Sequence, residues 1–296
     1  MSWGLCLSGG GIRGGAHIGV LKILEEYGFK PQYITGTSAG AIVASLYSFG
    51  YSAKQIEEIM TGLDIKKYID IDVNGILDAL KDLFINKNTY LTGLVNGNKL
   101  EELFQELTHD GFISDAKIPL GVVAVDINTA QVFKFTSHPI KSKEKYTNIT
   151  DCKTYEAIRA SISIPGYFKP KEFRGHLLVD GGIRDNLPVD LLVELGAKKM
   201  VVVNLGFAGK NSENVHGIAE IAVQALDIMM YDSFEKSLLS LNTKENVFII
   251  NPRLPDIKPL DFKKLNLAIA RGYEAAQKEL PRIKEFILPV RQNQAD

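Results

Sequence analysis

The pentapeptide Gly36-Thr37-Ser38-Ala39-Gly40 sets a serine among small residues in the pattern G-x-S-x-G. Small flanks permit a sharp strand-to-helix turn that holds the hydroxyl exposed, as a nucleophile requires. A helix expected from Ala39 to about Gly50 aims its N-terminus at the same place and favours negative charge there. Upstream, Gly9-Gly10-Gly11-Ile12-Arg13-Gly14 joins an apolar, strand-like segment to a helix. Glycine runs of this kind bring backbone N–H groups close to an anion. Two anions fit: a nucleotide diphosphate, because the run also matches G-x-G-x-x-G, or the oxyanion that develops when a serine attacks an ester. The dinucleotide reading wants an acidic residue at the end of the second strand. That strand ends instead in Gly36-Thr37-Ser38, and Glu25 and Glu26 fall inside the first helix. A P-loop is excluded because no G-K-[ST] follows. On the oxyanion reading, Gly10 and Gly11 supply the N–H donors and Arg13 raises the local positive potential.

A serine nucleophile needs a base. The five histidines, His17, His109, His138, His176 and His216, stand in no base motif. The better candidate is Asp180, which closes the apolar run Leu177-Leu178-Val179 and precedes Gly181-Gly182. A carboxylate at a strand end can serve directly as base when burial raises its pKa. Each motif alone is also compatible with an ordinary turn.

These residues need elements to hold them. Trp3 to Leu7 reads as a buried strand. Val20, Ile23, Leu24 and Tyr27 mark a helix stopped by Gly28, and Tyr33 to Thr35 is a second strand. Strand, loop, helix, strand, turn and helix in succession predict a parallel α/β sheet, with loop and elbow at one edge, where open sheets bind ligands. Residues 52–115 differ, with amphipathic stretches at Ile76, Leu80, Leu83 and Phe84 and at Leu100, Leu103, Phe104 and Leu107 around the loop Asn96-Gly97-Asn98. They are expected to form a helical insertion. Strands are predicted at Leu120–Val125, Val132–Phe135, Leu177–Val179, Met200–Val203 and Val247–Ile250. Helices are predicted at Val189–Leu195, about Gly217–Leu239 and Leu267–Ile287. No linker or repeat divides the chain, so one domain over residues 1–296 is expected.

Composition narrows the function classes. Hydrophobic residues make up 45% and charged residues 23%, with a net charge of −1, so no basic face marks a nucleic-acid partner. Two cysteines, Cys6 and Cys152, make a disulfide framework improbable and favour a cytosolic setting. Cys6 lies in an apolar run and is read as a small core residue. No secretory signal is visible and no apolar run reaches about 18 residues, so a cytoplasmic chain, at most peripheral to a membrane, is expected.

The glycine loop, the G-x-S-x-G elbow and Asp180-Gly181-Gly182, in that order, closely resemble the motifs of the patatin-like phospholipase family. The stretch Ala160-Ser161-Ile162-Ser163-Ile164-Pro165, followed by Phe168 and Pro170, resembles the family's segment ahead of its Asp-Gly motif. The resemblance spans about Leu5 to Pro188. It implies a three-layer α/β/α fold related to the cytosolic phospholipase A2 catalytic domain. It also implies hydrolysis of lipid esters without metal or cofactor, by a Ser–Asp dyad lacking histidine. Matched onto this chain, Ser38 is the nucleophile, Asp180 the base, and Gly9, Gly10, Gly11, Arg13 and Gly14 form the oxyanion loop. Gly36, Gly40, Gly181 and Gly182 support the motifs, Gly182 standing where many members have alanine. The acyl chain would need an apolar wall, for which Ile76–Ile85 and Ile164–Phe168 are candidates. Lys169, Lys171 and Arg174 form a basic cluster beside it, readable as a contact for anionic headgroups or as a solvated loop. A non-catalytic lipid-binding module of the same fold remains the alternative.

Overall fold

The computed structural model describes residues 2–73, 93–141, 146–206 and 244–288, with positions 221, 224, 225, 228 and 229. The apolar run Trp3–Leu7 is strand β1, buried at every position. A strand buried on both faces belongs in the middle of a parallel sheet. Accordingly β1 pairs in parallel with β2 (Tyr33–Thr37) on one side and, across the chain, with Lys199–Val203 on the other. The remaining strands are β3 (Gly93–Val95), β4 (Leu120–Asp126), β5 (Val132–Thr136), β6 (Tyr146–Ile149), β7 (Gly166–Phe168), β8 (Lys171–Phe173), β9 (His176–Asp180), β10 (Lys199–Val203) and β11 (Val247–Ile250). The main sheet runs β11-β10-β1-β2-β4-β5-β6. Its centre is parallel, whereas β5 and β9 pair with β4 antiparallel.

Helices α1 (Gly15–Glu26), α2 (Ala39–Ser48), α3 (Ala53–Gly62), α4 (Ile65–Tyr68), α5 (Asn98–Leu107), α6 (Thr154–Ser161), α7 (Gly182–Asp185), α8 (Val189–Leu195) and α9 (Leu265–Ile287) complete the described elements. Alternation along β1 divides the core. Leu5 and Leu7 pack with Ile18 and Leu21 of α1, Leu46 of α2 and Ile269 of α9. Cys6 faces the other way, against Val189 and Leu192 of α8. Helices thus cover both faces of the sheet, giving three layers.

The expected strands and the helices after Ser38 and at Val189 are found within one or two residues of their predicted limits. The predicted helix at Leu267 starts two residues earlier. Four short strands, β3, β6, β7 and β8, were not anticipated, because three or four residues carry too little pattern to be read. The inserted segment is not purely helical, since β3 pairs in parallel with β7. Ile76–Ile85 and His216 lie outside the described residues. Of the helix expected near 217–239, the five described positions are helical. Both cysteines are buried thiols. Among the described residues no helix is long and apolar enough to cross a membrane, and no group of His, Cys, Asp and Glu is placed to hold a metal ion.

Candidate active site

Strand register brings Ser38 and Asp180 together. Thr37, the last residue of β2, lies opposite Val123 of β4. Asp180, the last residue of β9, lies opposite the next residue, Ala124. The first pairing is parallel and the second antiparallel, so β2 and β9 run toward each other along one side of β4 and their carboxyl ends meet. The sequence places Ser38 and Asp180 142 positions apart, and the shared neighbour β4 makes the two strand ends adjacent.

Ser38 follows β2 directly and caps α2 with φ 54° and ψ −122°. A positive φ in a non-glycine residue is strained, by about 1–3 kcal/mol, and persists only where the surroundings hold it. Here they do. The Ser38 N–H donates to Ser161 Oγ (2.9 Å), and Thr37 Oγ1 donates to the Asp185 carbonyl (2.8 Å). The Ser38 side chain lies near enough to the Asp180 carboxylate to favour its ionised form. The Gly182 N–H donates to Asp180 Oδ1 (2.8 Å), and the Asp180 N–H donates to the Ser163 carbonyl (2.9 Å). Burial dominates this carboxylate: it pushes the pKa up from 3.8 to about 6, against the Ser38 side chain and the Gly182 N–H, which favour the ionised form.

The glycine loop lies beside the elbow. A side chain at Gly9 would stand 3.2 Å from Ser38 Cβ. The members of the loop differ in what their N–H groups do. That of Gly9 is taken by Asn186, through both its carbonyl (3.2 Å) and Oδ1 (3.1 Å). That of Ile12 is taken by the Pro259 carbonyl (2.8 Å). The N–H groups of Gly10 and Gly11 have no acceptor among the described residues. Arg13, expected to add potential, is buried and acts on the loop itself: Nε donates to the Gly10 carbonyl (3.2 Å) and Nη1 to the Gly206 carbonyl (2.9 Å).

No described histidine reaches Ser38. His17 is fully buried on α1, with Nε2 bonded to the Ser8 carbonyl (2.8 Å), and burial lowers its pKa to about 4. His138 pairs with Ser137 and His176 with Asp126. His109 stacks on Tyr51.

Ser38 and Gly11 open on a pocket of about 130 Å³ whose wall is almost wholly apolar. Ile164, Tyr167 and Phe168 line it, as the sequence suggested, together with Leu100, Leu103 and Phe104 of α5 and with Pro259, Leu260, Phe262 and Leu265. That volume is near the roughly 150 Å³ of a cavity that takes a benzene ring, and apolar walls of this kind do not suit a diphosphate. The basic cluster beside the pocket is neither a free headgroup site nor simply solvated. Lys169 pairs with Asp72 (2.7 Å), Lys171 with Glu101, and Arg174 with Asp151 (3.1 Å).

Sequence reading missed several of these roles. Asn186, Ser161 and Ser163 are small polar residues whose partners lie far away in the chain. Leu100, Leu103 and Phe104 showed the right periodicity, but the same pattern serves any packed helix face.

Comparison with known proteins identifies the family. The patatin-like phospholipase family model matches residues 5–193. Patatin-like phospholipase domain-containing protein 6 of Homo sapiens is 30% identical over 215 residues, covering 72% of this chain and 14% of that protein. Lysophospholipase NTE1 of Mycosarcoma maydis is 31% identical over 217 residues, covering 73% of this chain and 10% of that protein. The chain thus spans between 10% and 14% of the length of these two relatives. VipD from Legionella pneumophila shares the fold, with a TM-score of 0.55 at 18% identity over 95% of this chain and 67% of that chain. ExoU in its complex with SpcU, from Pseudomonas aeruginosa, superposes with a TM-score of 0.50 at 17% identity, over 95% of this chain and 51% of that one. On the family match over more than half its residues, this chain belongs to the patatin-like phospholipases.

Proposed function

We propose that this chain is a serine acyl hydrolase that cleaves lipid carboxylic esters through a Ser38–Asp180 dyad. The observation that carries the reading is the placement of a buried carboxylate beside a serine that stands on a strained elbow and lines an apolar pocket. Asp180 takes the hydroxyl proton as Ser38 Oγ attacks the ester carbonyl carbon. The N–H groups of Gly10 and Gly11 receive the oxyanion, supported by their lack of other acceptors and by Gly11 lining the same pocket as Ser38. Each such donor is worth about 3 kcal/mol of barrier. Asn186, Pro259 and Arg13 hold the loop in shape, because their bonds go to its other backbone groups. Collapse of the tetrahedral intermediate expels the alcohol, which leaves with the proton held by Asp180. Water, deprotonated by Asp180, then attacks the acyl-enzyme, and Ser38 Oγ takes that proton back as its bond to the acyl carbon breaks and the acid leaves. The apolar pocket takes the acyl chain, consistent with the words phospholipase and lysophospholipase in the names of the relatives.

The test is labelling with a fluorophosphonate probe, read by mass spectrometry, alongside ester hydrolysis. Ser38 becomes modified, Ser38→Ala and Asp180→Asn are not labelled, and hydrolysis by either variant falls by about 10⁴-fold or more. Full hydrolysis by Ser38→Ala sinks the reading. A folded wild-type chain that binds fatty acid but takes no label is instead a lipid-binding module.

A further inference from the structure

Arg159 is buried to 2% exposure on α6, two residues before the serine that holds the elbow. A charge so placed is costly unless it is fully hydrogen-bonded. Among the described residues no carboxylate makes a direct ion pair with its guanidinium, and the charges of Glu101 and Asp70 act on it through space. The guanidinium is spent on backbone carbonyls and one hydroxyl. Nε donates to the Gly97 carbonyl (3.1 Å), Nη2 to the carbonyls of Asn96 and Lys169 (3.0 Å to the latter), and Nη1 to Ser163 Oγ. Ser163 Oγ donates in turn to the Arg159 carbonyl (2.7 Å).

The acceptors belong to two stretches, residues 96–97 of the inserted segment and residues 163–169 just after α6. Asn96 and Gly97 form the turn of the inserted segment that leads into α5, whose Leu100, Leu103 and Phe104 wall the pocket. Lys169 ends the stretch Ile164–Phe168 that forms another part of that wall, and the Phe168 ring lies 5.4 Å from the guanidinium. Ser163 is the residue whose carbonyl takes the Asp180 N–H. The same junction carries the β3–β7 pairing, the ion pairs Lys169–Asp72 and Lys171–Glu101, and the Asp70 carboxylate on the N–H groups of Gly97 (2.7 Å) and Asn98 (3.0 Å). Arg159 joins both stretches from a buried position, where the Lys169 N–H also donates to the Val95 carbonyl (2.9 Å). The planar fork suits this role, because five N–H donors at fixed angles define where each carbonyl must be. The single ammonium of a lysine cannot do the same.

We infer that Arg159 is a positioning residue that locks the inserted segment to the strand-bearing segment of the catalytic base, and thereby sets the width of the acyl pocket. The inference rests on the Ser38–Asp180 reading. Arg159 touches no reacting atom. Its loss frees the α5 wall to shift relative to Phe168 while leaving the elbow and the glycine loop their own supports. The consequence is a selective loss on long acyl chains.

The experiment compares wild type, Arg159→Lys and Ser163→Ala as full chains. Active sites are counted by fluorophosphonate titration, so unfolded protein does not enter the rates. kcat and KM are measured on p-nitrophenyl butyrate and p-nitrophenyl dodecanoate. In Arg159→Lys, kcat/KM per titrated site falls by about tenfold or more on the dodecanoate, mostly through KM, and by no more than about threefold on the butyrate. Ser163→Ala, which keeps the charge and removes one acceptor, moves the ratio the same way by a smaller factor, and it decides the matter if Arg159→Lys does not fold. An unchanged dodecanoate-to-butyrate ratio, or equal loss on both esters, overturns the inference. Failure of wild-type Ser38 to take the label would overturn the dyad reading instead, so the two failures are told apart.

Discussion

Asp180 combines two demands that oppose each other: enclosure that suppresses its charge and polar neighbours that favour it. Enclosure wins, and the carboxyl titrates near 6 rather than at 3.8. A base must be deprotonated to work, so kcat/KM rises with pH through about 6 and is flat above it. The same shift has a stability consequence of definite sign. The folded chain holds this proton to a higher pH than the unfolded chain does, so stability is greatest below the unfolded value and is lost as pH rises through about 6. Asp180→Asn removes the buried charge. It is therefore inactive yet more stable than wild type at pH 7.5, by on the order of 2 kcal/mol, and the gain shrinks as pH falls toward about 4. Urea denaturation at several pH values measures this directly. Asp185, likewise pushed up to about 6 by burial, titrates in the same window, so the difference between the two proteins is the quantity to read. A variant less stable than wild type at pH 7.5 would mean that the ionised carboxylate is favoured in the fold.

Among elements, the glycine loop depends on a partner far beyond the motifs. Gly11 has φ +59°, and a Cβ on it would lie 2.2 Å from the Pro259 carbonyl, the same carbonyl that accepts the Ile12 N–H. Both the backbone conformation and the space require glycine. Gly11→Ala must move the loop or the Pro259 segment. It is expected to cost about 2 kcal/mol of stability and to lower ester hydrolysis by tenfold or more through the displaced oxyanion donor. Thermal melting and kcat on a short-chain ester check this. Wild-type kcat in Gly11→Ala would remove the loop from the mechanism. The wall at Ile164–Phe168 and the amphipathic face of α5 were both visible in the sequence. That they face each other across one pocket was not, because β3 and β7, three residues each, hold them together.

The whole molecule needs more than the region that matches the family model. β10 lies between β1 and β11, so without it the strand leading into the glycine loop becomes a sheet edge. Ile269, Ile283 and Ile287 of α9 share a core with Ile18 and Leu21 of α1. A fragment of residues 1–193 exposes this face and the β1 edge, and is expected to show no cooperative thermal transition by circular dichroism. A fragment that melts cooperatively and takes the fluorophosphonate label would show that the C-terminal strands and α9 are dispensable.

What the sequence determined by itself is local. Local residue patterns placed β1, β2, α2 and α8, and the residue types in three short motifs pointed to the proposed nucleophile, base and loop. These are legible because elbow, loop and Asp-Gly turn each complete their own backbone conformation within about six residues. The tertiary structure decided what is contacted across the chain. It assigned the Gly9 N–H to Asn186 and, among the described residues, gave those of Gly10 and Gly11 no acceptor. It turned Arg13 from a source of potential into a brace, and Lys169 and Lys171 from a basic patch into ion pairs of the inserted segment. It also set the meeting of Ser38 and Asp180 through the register of β2 and β9 on β4. Partners such as these are fixed by packing and strand register, which depend on pairings over a hundred residues apart and leave no trace in any short window of sequence.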